Sequence, residues 1–285
     1  MQIYLLPIVF TFFLWWFSTG LIFYLDGLPR HTFRWSFMGA TVLLFVSLWW
    51  IATIRNDTSL SGAYLAFTFG TLVWGWQMIS FYMGFITGPR HTACPQPCSL
   101  RQRFWYALQT CIHHELASLA GAIMLLILTW GSPNQIALWT YVLMWWMHLS
   151  AKLNVFFGVP NLDEKFLPEH LQYLCSYLPK RAMNTFFPVS VSVSTVVGIW
   201  LIVQTVAPGN SAFTTVGLTF LSILMVLAIL EHWVLVVPLP LALWDWVLRI
   251  REASERDKRE KQQTKAIKRA ELSGIKHSVI DVETP

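Results

Sequence analysis

The sequence predicts an all-α, polytopic integral membrane protein with about seven transmembrane helices, and three observations indicate this class. Hydrophobic residues make up 55% of the 285 residues and charged residues only 12%, whereas soluble domains carry about 25% charged residues. The 16 tryptophans suit a chain that crosses the headgroup region many times, because aromatic rings favour that interface. Seven apolar runs are each long enough to cross about 30 Å of hydrocarbon as a helix of roughly 20 residues.

These runs define the predicted helices in order along the chain. They lie at residues 3–25, 35–54, 62–86, 104–130, 135–156, 185–206 and 213–237. All should be helical, because each backbone N–H and C=O group in lipid needs a partner and the runs lack the alternation of barrel strands. The shorter segment 239–250 suits a helix in the membrane interface. Residues 1–250 therefore form the predicted transmembrane domain, and residues 251–285 form a charged cytoplasmic tail.

The distribution of lysine and arginine predicts the orientation. One alternate set of connections carries most of these residues together with the tail, while the opposite connections carry only Arg55. The basic residues of the first set, before the tail, are Arg30, Arg34, Arg90, Arg101, Arg103, Lys165, Lys180 and Arg181. Because basic loops stay in the cytoplasm, we expect a periplasmic N-terminus and a cytoplasmic C-terminus in a bacterial inner membrane. The net charge of +5 then follows from topology and does not indicate a nucleic-acid partner.

Ionisable side chains within the apolar runs are the candidate functional residues, because lipid penalises them and they usually serve a function. They are His113, His114 and Glu115 in the fourth run, His148 and Lys152 in the fifth, and Glu231 and His232 in the seventh, with Glu169 and His170 in the connection before the sixth. The predicted orientation places all of them in or beside the cytoplasmic half of the bilayer. His148 and Lys152 share one helical face, whereas His113 and His114 point about 100° apart.

Several chemistries fit these residues and remain open. Histidine and glutamate bind iron, zinc or manganese, and a dinuclear iron centre in a helical bundle uses both, although the Glu-x-x-His pattern is absent. The candidate metal ligands are His113, His114, Glu115, His148, Glu169, His170, Glu231 and His232. The candidate pigment contacts are His113, His114, His148 and Lys152, because an imidazole can be the axial ligand of a chlorophyll-type magnesium. Interhelical hydrogen bonds, snorkelling of Lys152 and proton transfer are the other interpretations.

Two of the four cysteines, Cys94 and Cys98, are separated by three residues in a predicted cytoplasmic loop. A structural disulfide is not expected in that compartment. Metal binding and redox sensing are the functional interpretations of this pair, but the spacing around two prolines is a weak signal for either.

Several strings resemble the PuhE family of photosynthetic complex assembly proteins from phototrophic purple bacteria. The clearest is SAKLNVFFGVPN at 150–161, followed by FLPEHLQYLCSY at 166–177. Supporting strings are FITGPRHTACP at 85–95, RFWYALQTCIHHELA at 103–117 and MNTFFPVSVSVST at 183–195. The resemblance runs from the third predicted helix to the seventh and does not cover the tail.

The resemblance implies a role in building or regulating the photosynthetic apparatus, in a family associated with genes for the reaction-centre H subunit. The leading hypothesis is a membrane assembly or regulatory factor. It would contact bacteriochlorophyll, its precursors, nascent reaction-centre or light-harvesting subunits, or pigment-synthesis proteins. The alternative is a membrane-embedded, metal-dependent oxidase or hydroxylase acting on a lipophilic pigment or quinone. The resemblance supplies no catalytic residue.

Overall fold

The computed structural model describes residues 2–161, 167–237 and 264, and in this part of the chain the regular secondary structure is entirely helical. The long helices are α1 (Gln2–Asp26), α2 (Phe33–Ile54), α3 (Leu60–Tyr82), α4 (Leu100–Leu128), α5 (Ile136–Phe157), α6 (Phe186–Thr205) and α7 (Ala212–Val234). Short 3-10 helices, Arg30–Thr32 and Glu169–Tyr177, precede α2 and α6. The all-α prediction is confirmed. The predicted interfacial helix at 239–250 and the tail at 251–285 lie outside the described residues, apart from Thr264.

Five of these helices are long and apolar enough to cross a membrane: α1, α4, α6, α7 and the stretch Arg30–Ile54 that contains α2. The chain is therefore a membrane protein by its helix character. α3 and α5 have comparable lengths, at 23 and 22 residues. They fall outside the five because of their lower mean hydropathy and not because of their length.

α3, α5 and α7 pack against one another and form the centre of the bundle. α1 and α6 pack on α7, α2 packs on α3, and α4 packs on α5 and α3. In the most apolar stretch of α7, 61% of the residues are buried, against 17% in the stretch containing α2. The outer helices turn large apolar side chains outward, as helices facing lipid do.

Close approach of the central helices depends on small and flat side chains. Phe67 of α3 stacks on Phe220 of α7 with ring centroids 4.4 Å apart. The backbone of α3 meets that of α5 at Gly70, where an added Cβ would lie 2.7 Å from the carbonyl oxygen of Ala137. Glycine at such a position lets two membrane helices approach backbone to backbone.

Two predicted helix ends lie four residues from the observed ends, and local chemistry explains both differences. The run 62–86 was expected to be helical throughout, but α3 ends at Tyr82 because Gly84 adopts a φ of 80°, a left-handed conformation that stops helices. The run 104–130 was expected to begin at 104, but α4 begins at Leu100. Ser99 and Gln102 form a capping box there, and this motif satisfies the free N–H groups of the first turn.

After α3, the chain runs back along the side of α4. The backbone N–H of His114 donates to the carbonyl oxygen of Thr87 at 3.0 Å, and that of Arg90 donates to Gln109 at 3.3 Å. Gly88, between these two contacts, is buried against the α4 backbone. An added Cβ there would collide with the carbonyl oxygen of Gln109 and lie 2.7 Å from the carbonyl carbon of Thr110.

Gly88→Ala should lower the free energy of unfolding by about 2 kcal/mol, because overpacking against backbone atoms forces the segment away from α4. Thermal unfolding in detergent, followed by tryptophan fluorescence, measures the effect. Gly75→Ala in α3 is the matched control, since a Cβ there meets no atom within 4 Å and alanine favours a helix interior. Equal stability of the Gly88→Ala and wild-type proteins would contradict the close packing.

Candidate functional site

Two histidines from neighbouring helices meet inside the bundle. His114 of α4 has no exposed surface, and its ring centroid lies 6.0 Å from that of His148 on α5. Phe81 packs on His114 at 4.8 Å and Trp74 on His148 at 5.4 Å, both from α3. Within the described residues, neither ring nitrogen of His114 nor Nε2 of His148 has a hydrogen-bond partner. Buried polar atoms without partners are unusual, because each costs about 1–3 kcal/mol.

An ion pair adjoins the two histidines. Lys152 Nζ of α5 lies 2.7 Å from Glu115 Oε1 of α4, and the side chains are 24% and 17% exposed. The same ammonium lies 4.9 Å from the ring centroid of Phe81, which also contacts His114. His114, Glu115, His148 and Lys152 thus form one group, here called the α4–α5 polar cluster.

Helix geometry positions this cluster. His148 and Lys152 are four residues apart on α5 and share a face, as predicted, so both reach α4. Two further hydrogen bonds between helices hold the register: Gln77 Nε2 of α3 donates to the carbonyl oxygen of Ala117 at 3.0 Å, and the Tyr141 hydroxyl donates to Ser118 at 2.9 Å. Sequence reasoning missed Phe81 and Gln77, since an ordinary apolar residue and a lone amide give no signal of their own.

His113 lies on a different face of α4 from His114 and is exposed. It stands at one end of an outward-facing apolar stripe that includes Leu116, Ile123 and Ile127, all exposed and brought together by the helical repeat. In agreement with the predicted angle between them, His113 points outward from the bundle and His114 points into it.

The candidates on α7 lie apart from the cluster and have their own partners. Nδ1 of His232 lies 2.8 Å from the Ala228 carbonyl oxygen and Nε2 lies 2.9 Å from Ser150 Oγ. Because a carbonyl only accepts, Nδ1 donates to Ala228 and Nε2 accepts from the Ser150 hydroxyl. Neither nitrogen is left for a metal. Glu231 accepts a hydrogen bond of 3.1 Å from Trp15 Nε1.

Glu169 and His170 lie elsewhere, in the 3-10 helix before α6. Glu169 is exposed, and the ring of His170 packs edge-on to Phe33 with centroids 5.9 Å apart. Burial lowers the pKa of His170 below its ordinary value, and the nearby Arg30 lowers it further. His170 is thereby favoured in its neutral form.

The predicted metal ligands do not form a single centre. In the described ranges, no group of three or more histidine, cysteine, aspartate or glutamate side chains could hold a metal ion. His114 and His148 pack against each other with ring centroids 6.0 Å apart, and Glu115, the carboxylate of the α4–α5 polar cluster, is paired with Lys152. His113 is exposed on the outer face of α4, so its imidazole could serve as a single axial ligand to a metal.

The cysteine pair occupies the loop between α3 and α4. Cys94 is buried and its backbone N–H donates to Ser176 Oγ at 2.8 Å. Burial raises the pKa of the Cys94 thiol, and a hydrogen bond with Cys98 raises it further. A thiol held protonated is a poor nucleophile and a poor metal ligand at neutral pH.

Comparisons with known proteins place the chain in a family. Residues 1–255 match the family described as "Protein of unknown function (DUF3623)". A relative from Rhodobacter capsulatus, described as "Uncharacterized 30.4 kDa protein in puhA 5'region", is 37% identical over 246 residues, covering 84% of this chain and 88% of the relative. No solved structure matches the chain. Because the family match spans nearly all of the helical region, the chain belongs to the family described as Protein of unknown function (DUF3623).

Proposed function

We propose that this protein is an assembly or regulatory factor for the bacterial photosynthetic apparatus. Two observations support the setting. The relative from Rhodobacter capsulatus is named for its position next to the photosynthesis gene puhA, and several strings of this chain resemble the PuhE family. The direct contacts we propose are bacteriochlorophyll or a precursor, or nascent reaction-centre and light-harvesting subunits.

The proposed setting is the bacterial inner membrane, crossed seven times. Support comes from the lengths of the helices, since each of α1 to α7 has 20 residues or more. Helices of that length can span the hydrocarbon layer. Arg55 follows α2, whereas the other basic connections alternate with it, so the positive-inside rule puts the N-terminus in the periplasm and the C-terminus in the cytoplasm.

The observation that carries the proposal is the exposed imidazole of His113. On an outward face of a membrane helix, a polar ring has no water to hydrate it, so such a residue usually serves a function. Neutral imidazole is a good axial ligand for a metal held in a planar macrocycle. The apolar stripe beyond it, with Leu116 and Ile123, would carry the hydrocarbon part of the same pigment.

The α4–α5 polar cluster lies directly behind His113 on the same helix. In the described part of the chain, His114 and His148 of this cluster have ring nitrogens without hydrogen-bond partners, which can bond a polar group of a ligand or of a partner helix that inserts between α4 and α5. In natural proteins, buried polar groups without hydrogen-bond partners occur mainly at functional sites. We therefore assign the cluster a part in binding alongside His113.

Pigment retention tests this function. Purified in mild detergent from phototrophically grown cells, the wild-type protein should carry pigment, seen in its absorption spectrum, or capture photosynthetic subunits. His113→Leu should lose most of the pigment and keep its fold. His91→Leu is the control, because His91 is exposed in the loop before α4 and should retain pigment as wild type does. Wild-type protein with neither pigment nor photosynthetic subunits would overturn the proposal.

The oxidase or hydroxylase alternative has less support. It needs several donors around one metal, whereas Glu115 pairs with Lys152 and both nitrogens of His232 have partners. Iron, zinc or manganese in stoichiometric amount in the purified protein would favour this alternative over pigment contact.

A further inference from the structure

A basic cavity lies where the start of α2, the end of α3 and the 3-10 helix Glu169–Tyr177 meet. Its volume is about 510 Å³. Arg30, His31, Arg34 and His170 form its polar wall. Nitrogen-bearing side chains from two distant parts of the sequence thus converge on one space, and no acidic residue is among the described residues that line it.

Arginine supplies the fixed charge of this cavity. Arg30 and Arg34 are both exposed, and their spacing of four residues brings their guanidinium groups to one side of the helix start. The Arg34 guanidinium lies 5.3 Å from the ring centroid of Trp35. The N-terminus of α2, which begins at Phe33, adds the positive end of its dipole. The cavity is therefore suited to an anion.

His170 brings a polar atom to the opposite wall. Its ring lies against Gly84, where an added Cβ would be 3.1 Å from Nε2. That nitrogen is buried and has no hydrogen-bond partner in the described part of the chain. Its nearest acidic neighbour in sequence, Glu169, is exposed. The His170 side chain adds a polar atom to the wall, and Arg30 and Arg34 supply the N–H donors for an anion.

The rest of the cavity is apolar and continues onto the outer face of the bundle. Phe33 and Phe85 line it, and Phe85 stacks on Phe37 of α2 with centroids 4.3 Å apart. Trp35 and Met38 lie on the outer face of α2 beside Arg34, with 59% and 52% of their area exposed. A small inorganic anion would contact only the arginines. An amphiphile would contact both the arginines and the apolar surface.

We propose that this cavity binds the phosphate group of an anionic phospholipid, with Arg30 and Arg34 as its ligands and the acyl chains along the outer face of α2. The planar fork of arginine matches phosphate oxygens two at a time. Basic pockets on the cytoplasmic side of membrane helices bind lipid headgroups in this way. The site is separate from His113 and does not depend on pigment binding.

Lipid selectivity tests the site. The full-length protein is reconstituted in nanodiscs of phosphatidylcholine containing a fraction of phosphatidylglycerol, then released, and the lipids it retains are counted by native mass spectrometry. The wild-type protein should retain phosphatidylglycerol in preference to phosphatidylcholine. Arg30→Gln/Arg34→Gln should weaken that preference about tenfold or more, since two charge-assisted contacts are lost.

Arg55→Gln is the matched control, because Arg55 is an exposed arginine at the other end of α2, and it should retain the preference. Equal retention of the two lipids by the wild-type protein overturns the proposal, as does an equal loss in Arg55→Gln. Release of phosphatidylglycerol by millimolar inorganic phosphate shows that the headgroup occupies the site. If inorganic phosphate raises the Tm of the protein and the protein shows no lipid preference, the cavity binds free phosphate. That result also overturns the proposal. Where the double glutamine variant fails to fold, Arg30→Lys/Arg34→Lys keeps the charge and should weaken the preference by a smaller factor.

Discussion

Lys152→Met should lower the free energy of unfolding by on the order of 3 kcal/mol. The change removes the ammonium that lies 2.7 Å from Glu115 Oε1. Methionine keeps most of the aliphatic stem and so preserves packing. The carboxylate of Glu115, 17% exposed, is then left between α4 and α5 without its partner. Unfolding in mixed detergent micelles, followed by tryptophan fluorescence, measures the loss.

The double variant Glu115→Gln/Lys152→Met is the control for this prediction. It removes both charges of the ion pair, so neither is left without the other, and it should recover much of the stability lost in Lys152→Met. Replacing a whole buried ion pair is often close to neutral, whereas breaking one is not. A double variant as unstable as the sum of the two single variants would show that the residues act independently and that the ion pair does not link the helices.

Helix positions could be read from this sequence because lipid imposes a simple rule. A run of about 20 apolar residues has few alternatives to a helix, and each predicted run lies on one of the long helices. The ends of the helices were harder to predict. α3 stops early because Gly84 turns left-handed, and α4 starts early because Ser99 caps it. In both cases a single residue sets the helix end, and the length of the apolar run does not indicate it.

The candidate site could be predicted only in part, because pairing between helices depends on packing. The shared face of His148 and Lys152 follows from the helical repeat, and so does the divergence of His113 from His114. That Glu115 would pair with Lys152 does not follow, since it requires the register of α4 against α5. Arg30 and Arg34 entered the sequence argument only as markers of topology, because the side chain opposite them, His170, is more than a hundred residues away.

Two buried histidines of this bundle should respond to the same substitution with opposite signs. His114 and His232 are 0% and 2% exposed, but the nitrogens of His232 are both bonded and those of His114 lack partners in the described bundle. His232→Leu should lower the free energy of unfolding by about 2 kcal/mol, because it leaves the Ser150 hydroxyl unpaired. His114→Leu should raise it by about 1 kcal/mol, because it removes two unpaired polar atoms from an apolar setting.

The functional effect of His114→Leu should be opposite to its effect on stability. A ring retained only for packing would leave cells expressing His114→Leu with normal amounts of photosynthetic complexes. A ring retained for binding would leave them with a stable protein and fewer complexes, because the polar group it serves has lost its partner. We expect the second result, measured as membrane absorption of complexes in cells that express each variant at equal level. If the His114→Leu protein is more stable and complex levels stay normal, the α4–α5 polar cluster serves only in packing. His113 is then the remaining binding residue.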